Sequence, residues 1–434
     1  MLKKIASVLL TVSIIAPSVA SANNEKITIQ YVKEDYTFQK HEPVDGTLLG
    51  AYVLQDVAID ANMEKFNEVT GKKHASFFKY VGYGQPFPAE WVEEVKAAGA
   101  IPHIAYEPNN GLDVVQDNEY LRKFARDAAK AEVPIFLRYA SEMNGDWSAY
   151  HGNPKKFIDK WKLVHDVFEE EAPNVSMVWT VFTFPEWFIK PYYPGDEYVD
   201  WVGVNIYNVV YHNNNIYDYA ADEDPLELLD YVYNLYSHKK PIQISEFGAT
   251  HYTVTDDKEY PEFAAEKITR LYTHLPDYYP RVKSIFYFDV NNLLNAPAGR
   301  KINDYSVTND VYVLNAYKES IADVRYLDTY EENPVGTGKE TFTFTGNIVM
   351  KNGRSLADVF FFEENLGLHV KTDGSAYVIS DGISEITVSA ERIRNVNTFG
   401  AVRNFTALPI REVAEAFGYK VGFDAAKNMI TLSK

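Results

Sequence analysis

The chain has no cysteine at all, so no disulfide framework can hold it and its stability must come from a packed core. It has no His-Glu-x-x-His, Gly-x-Ser-x-Gly or Walker pattern, which leaves metalloprotease, serine-hydrolase and nucleotide chemistry without support. Positive charge is in short supply: Lys+Arg is 42 against 61 Asp+Glu, a formal net charge of −19. Such a surface disfavours nucleic acid and anionic membrane as partners. Beyond the first residues no apolar run is long enough to span a bilayer.

What is present begins with Lys3 and Lys4, an apolar run over 5–15, and the small residues Ala20-Ser21-Ala22. This reads as a secretory signal peptide over 1–22, cleaved after Ala22, and places the mature chain outside the cell, free or wall-associated. Export without cysteine suits a bacterium. Of the 434 residues, the part left is too long for one ordinary domain and fits a barrel plus a smaller module. Aromatic residues make up 15%, with 32 Tyr and 25 Phe. Most fill a core, and the surplus near strand ends suits stacking on sugar rings.

From residue 46 onward strand-like and helix-like segments alternate. Strands are predicted over 46–54, 76–80, 101–106, 133–140, 174–182, 199–207, 241–246 and 282–288, with helices over 88–99, 118–131, 154–171 and 225–237. Eight strands with short helical connections read as an α/β fold, a (β/α)8 barrel. A doubly wound open sheet is the alternative, but no glycine-rich phosphate loop follows an early strand. The barrel domain is assigned to 23–330, closed by a helix near 310–326, with a linker over 331–341 and a small α+β domain over 342–434.

Two of the predicted strands end in a glutamate and a glycine-containing turn: Arg138-Tyr139-Ala140-Ser141-Glu142-Met143-Asn144-Gly145-Asp146-Trp147 and Lys240-Pro241-Ile242-Gln243-Ile244-Ser245-Glu246-Phe247-Gly248. The C-terminal rim is where a barrel presents catalytic groups, and paired carboxylates are the minimum equipment for cleaving a glycosidic bond. By strand parity Phe136, Arg138, Ala140 and Glu142 share a face, as do Ile242, Ile244 and Glu246. Arg138 then lies one layer below the rim and needs a carboxylate partner, for which Glu246 is the choice. That pairing keeps Glu246 ionised, as a nucleophile requires, and leaves Glu142 as the group that holds a proton. A purely structural ion pair is the plainer reading, and two rim glutamates weigh against it.

Together with Tyr193-Pro194-Gly195-Asp196 and Val199-Asp200-Trp201-Val202-Gly203-Val204-Asn205-x-Tyr207, these motifs resemble glycoside hydrolase family 26, a clan A retaining family of β-mannanases and related endo-glycanases. The resemblance spans about 45–290. It implies Glu142 as acid/base, Glu246 as nucleophile, Tyr207 near the nucleophile and Trp147 as a sugar-stacking residue, with hydrolysis by double displacement and no cofactor or metal. Two positions depart from the family's mannanases: Ser141 stands where histidine is usual and Asn205 where aspartate is usual. Mannan, mixed-linkage β-glucan, xylan or another wall polysaccharide therefore all stay open, as does attack at chain ends or within.

Further substrate-binding candidates are Tyr106 and Glu107 after strand three, Tyr150 and Trp187 in the loops after strands four and five, and Phe288 on strand eight, with Arg138, Ser141 and Asn205 counted among them. Tyr83 has the same character. Phe286 and Phe288 are read as the floor of the sugar site, with the role of Asp289 open, and His103 as an interior histidine. Near the C terminus, Pro409 to Val421 forms a glycine-stopped helix leading into a strand, and 356–379 repeats the plan loosely. This half-repeat resembles a copper amine oxidase N-terminal-like accessory domain. No copper site is implied, since His369 is the one histidine of that segment. The module is expected to add cell-wall attachment or substrate proximity, and the protein to be a monomer. The leading expectation is a secreted retaining β-glycanase; the alternative is a catalytically impaired glycan-binding or wall-associated protein.

Overall fold

The computed structural model describes residues 26–332, 336–373, 376–396 and 402–434. The expected signal peptide over 1–22 lies outside them. Eight parallel strands close on themselves: β1 (Thr47–Tyr52), β2 (Ser76–Gly82), β3 (Ile101–Glu107), β4 (Ile135–Tyr139), β5 (Val175–Phe182), β6 (Trp201–Asn208), β7 (Ile242–Ala249) and β8 (Val282–Phe288). Each pairs with the next in sequence, and β8 returns to β1 with Ser284 opposite Leu48 and Phe288 opposite Tyr52. The architecture is the expected (β/α)8 barrel. Its helices start where the sequence supplies short polar caps: Asn62, Asn118, Asn153, Asp224 and Asp310 each accept a hydrogen bond from a first-turn amide.

The strands alternate between two cores. Leu137, Ile242 and Ile244 face outward against helix residues such as Trp161 and Leu229. Leu48, Ile101, Phe136, Val178 and Trp201 fill the lower barrel interior, and Tyr52, Phe78, Phe286 and Phe288 fill its upper part. The helix expected near 310–326 is shorter, Val311–Ser320.

The expected domain limits need correction at both ends. The N-terminal strand Thr28–Thr37 lies outside the barrel sheet and pairs antiparallel with Thr337–Phe344 and parallel with Met429–Ser433. Residues 28–37 thus share a sheet and a core with the C-terminal module, through Ile29, Tyr31, Phe342 and Leu432. The expected linker over 331–341 runs directly into that sheet, with 333–335 outside the described residues. Such a pairing spans some three hundred residues of chain, and a local pattern carries no trace of it. Among the described residues the rest of the module has the α-helix Ile410–Ala416, a short π-helical segment Phe361–Asn365, and hairpins that include Lys420–Asp424 with Met429–Ser433, as the reading of the last thirty residues implied.

A buried charge cluster fastens this sheet to the barrel. Arg281 is paired with Glu42, and Lys283 donates to Glu340 on the strand Thr337–Phe344 at 2.9 Å. All four side chains are buried, so each charge depends on its partner.

Candidate active site

Glu142 and Glu246 meet at an open cleft of about 880 Å³ at the C-terminal rim of the barrel, lined also by Tyr80, Glu107, Ser141, Trp147, Tyr150, Asn205, Tyr207 and Phe288. Arg138 lies beneath it, fully buried, and donates from Nη2 to Glu246 Oε1 at 2.5 Å. The tyrosines Tyr80 and Tyr207 donate to Oε1 and Oε2 of the same carboxylate. One cation and two phenols thus surround Glu246, an arrangement that stabilises the anion and fixes its rotamer.

The expected parity does not bring Glu246 there. Ile242 and Ile244 point outward into the helix layer, whereas Gln243 and Ser245 hydrogen-bond to each other in the interior at 2.9 Å. The pairing of β6 with β7 then slips: Val204 is opposite Ile244, but Asn205 is opposite Glu246. This bulge inserts one residue and turns Glu246 back to the face of Ser245. Gly203 makes room for it, since a Cβ there would lie 2.1 Å from Thr180 Oγ1 and 2.5 Å from Ser245 Oγ.

Glu142 also departs from strand geometry. β4 ends at Tyr139, and Ala140 (φ 47°) and Glu142 (φ 58°) adopt left-handed backbones. Ala140 consequently packs in the outer core rather than beside Arg138. Non-glycine residues in this region cost about 1–2 kcal/mol each, so the turn must be held from outside. Asn144 supplies part of the hold: its amide nitrogen donates to the carbonyls of Phe182 and Phe184, and its oxygen accepts from the Phe182 amide. Gly145 is required because the Trp147 ring covers it; a Cβ would sit 2.3 Å from the indole. That placement brings Trp147 Nε1 to Glu142 Oε2 at 2.7 Å, while Asn205 Nδ2 donates to Oε1 at 2.7 Å.

Burial raises the proton affinity of Glu142, the charge of Glu246 adds to this, and the two donors and Arg138 oppose it; the carboxyl is pushed up to about 7. The site therefore holds one carboxylate braced as an anion and a second poised to exchange a proton near neutrality. The face above them is aromatic: Phe288 stacks on Tyr52 at 5.4 Å between centroids and meets Tyr207 edge-on at 5.5 Å.

Of the other candidates, Glu107, Ser141 and Tyr150 line the cleft and bond to one another. Tyr106 does not reach it: its side chain is fully buried, stacked on Phe124 at 4.4 Å and bonded to Tyr120. Tyr83 packs on the same group, against Tyr106 and Tyr120. Trp187 is 73% exposed on the turn Glu186–Phe188 and is not among the residues lining the cleft. Arg138 acts on Glu246 from below rather than on a ligand. His103 sits in the barrel interior against Phe286. Asp289 accepts from the Val307 amide beneath the rim. Sequence reasoning missed Tyr80, although its place at the end of the second predicted strand, in step with Phe78, is a signal of the same kind as that of Tyr207. Among the described residues no group of His, Asp and Glu could hold a metal ion, and no helix is long and apolar enough to cross a membrane.

Residues 108–230 match the model of glycosyl hydrolase family 26. The match takes in Glu142, Trp147, Asn205 and Tyr207 and ends before Glu246, whose place in the site rests on its contacts. Endoglucanase H of Acetivibrio thermocellus is 25% identical over 300 residues, which is 64% of this chain and 30% of that protein. Beta-1,3-xylanase TXYA of Vibrio sp. is 27% identical over 146 residues, 32% of this chain and 29% of that one. The chain thus spans about 30% of the length of these curated relatives. Among solved structures, the catalytic domain of Bacillus sp. JAMB-750 GH26 endo-beta-1,4-mannanase aligns with a TM-score of 0.49 at 14% identity, covering 68% of this chain and 94% of that one.

Proposed function

We propose that this protein is a secreted retaining β-glycanase of glycoside hydrolase family 26 in which Glu246 is the nucleophile and Glu142 the acid/base. The observation that carries the reading is the asymmetry of the two carboxyls. Glu246 is surrounded by Arg138, Tyr80 and Tyr207, all donors, whereas Glu142 has its proton affinity raised to about 7 by burial and by the charge of Glu246. In the first step Glu246 attacks the anomeric carbon while Glu142 gives its proton to the leaving oxygen. In the second, Glu142 as carboxylate takes a proton from water, which attacks the same carbon and frees Glu246 with the sugar configuration retained.

The names of the similar proteins, an endoglucanase, a xylanase and a mannanase, define the panel to test: mannan, mixed-linkage β-glucan, β-1,3-xylan and β-1,4-xylan. Reducing-sugar release from one of these, lost in Glu246→Ala, is the expected result, and proton NMR of the first product should show the β-anomer. Binding without release would favour the glycan-binding alternative. Export through residues 1–22 and wall attachment through the C-terminal module belong to the same proposal; mass spectrometry of the secreted chain and a sedimentation assay with cell walls test them.

A further inference from the structure

Ser141 stands between two left-handed residues, Ala140 and Glu142, and all of its polar groups are taken. Its amide donates to Glu107 Oε2 at 3.2 Å, its hydroxyl donates to Glu107 Oε1 at 2.5 Å, and its carbonyl accepts from the Tyr150 hydroxyl at 2.5 Å. Tyr150 and Glu107 also touch each other, with 2.7 Å between the hydroxyl and Oε2. The phenol has one proton and two oxygen neighbours, and the Ser141 carbonyl can only accept. The phenol proton serves one of the two, and a proton on Glu107 Oε2 would let both contacts be hydrogen bonds at once.

Burial favours the uncharged form of Glu107. Its residue is 9% exposed, and burial raises the carboxyl above its ordinary value against the pull of Arg138 and of the Ser141 hydroxyl and amide. The groups that face it are Arg138 and Tyr139 of β4, and Tyr150 of the loop that follows. Of these only Arg138 is charged, and Arg138 is already paired with Glu246.

We propose that Glu107 is a positioning residue: it clamps Ser141 together with Tyr150, and so holds the neighbouring Glu142 in the left-handed conformation that aims its carboxyl into the cleft. This rests on Glu142 being the acid/base. The clamp explains how two unfavourable backbone conformations persist side by side at the rim. It also separates Glu107 from the sugar-binding role that its place in the cleft would suggest, since both its oxygens are engaged by the turn.

The test compares Glu107→Ala, Glu107→Gln and Tyr150→Phe with the wild type on the cleaved polysaccharide and on dinitrophenyl β-glycosides of mannobiose, cellobiose and xylobiose. A dinitrophenolate leaves without help from an acid, so forming the glycosyl-enzyme needs Glu246 alone. Glu107→Ala should lower kcat on polysaccharide by about 100-fold, the scale of a misplaced acid/base, with KM unchanged and the dinitrophenolate burst retained. Tyr150→Phe should follow the same pattern. Glu107→Gln, which can still donate to Tyr150 and accept from the Ser141 hydroxyl but gives up the Ser141 amide, should stay much closer to wild type than Glu107→Ala. The inference is overturned by a normal kcat in Glu107→Ala, by a rise in KM alone, by loss of the burst, or by a Gln variant as slow as the Ala variant. If Glu107→Ala does not fold, Glu107→Gln and Tyr150→Phe decide the matter. A wild-type chain that cleaves none of the polysaccharides or glycosides overturns the hydrolase reading itself, a result distinct from all of these.

Discussion

Replacing Asn205 with alanine removes one of the two N–H donors that hold Glu142 as an anion. Asn205 is 1% exposed, so its 2.7 Å hydrogen bond to Oε1 is shielded from water. Its orientation is set from the other side, where the side-chain oxygen accepts from Arg138 Nη1 at 3.5 Å. A hydrogen bond to a charged group is worth about 1.5–3 kcal/mol, and about 1.4 kcal/mol corresponds to one pKa unit. The proton affinity of Glu142, already pushed up to about 7, should therefore rise by about one to two units. With Glu142 as the proposed acid, which must be protonated to act, the activity of the wild type should fall as pH rises through about 7, and that of the variant at about 8 to 9. At pH 8 the wild-type acid is about one-tenth protonated and the variant half or more, so the variant should retain the larger fraction of its own maximum. The assay is kcat/KM against pH, which reports the free protein. An alkaline limb that stays in place, or moves to lower pH, would refute the reasoning. Trp147→Phe removes the other donor and should shift the limb in the same direction by less, because Trp147 is 44% exposed and water can replace its N–H.

Arg138→Met leaves Glu246 buried without its cation and should cost about 3–5 kcal/mol in urea unfolding; a cost below 1 kcal/mol would show that Tyr80 and Tyr207 suffice. Glu340→Ala strips Lys283 and Arg281 of a carboxylate where the C-terminal sheet meets the barrel. A loss of similar size, about 3–5 kcal/mol, is expected by thermal melting. His41 and His74 are buried, and burial lowers them to about 4 and about 3. Below pH 6.5 the unfolded chain takes up protons that the folded chain refuses, so stability falls as pH drops from about 6.5 to 4, by roughly 1.4 kcal/mol per pH unit for each histidine. Urea titrations at several pH values should show that slope, and His74→Gln should reduce it by one histidine's share.

The barrel and the places of its two glutamates were legible in the sequence because they follow from local physics. Alternating apolar strands and capped helices have short periods, and a carboxylate at a strand's end lands on the rim whichever way the interior packs. The pairing of Arg138 with Glu246 followed from the cost of burying a lone guanidinium. The tertiary structure decided what depends on contacts between distant segments. The slip between Asn205 and Glu246 turns the Glu246 carboxylate inward against its own parity. The left-handed turn at Glu142 exists because Glu107, Tyr150 and Asn144, from outside the strand, hold it there. Tyr80 joins Glu246 only when the barrel closes. The strand Thr28–Thr37 leaves the barrel for the C-terminal sheet because its hydrogen-bonding partners lie at the far end of the chain, and main-chain pairing is specific in space but nearly silent in sequence.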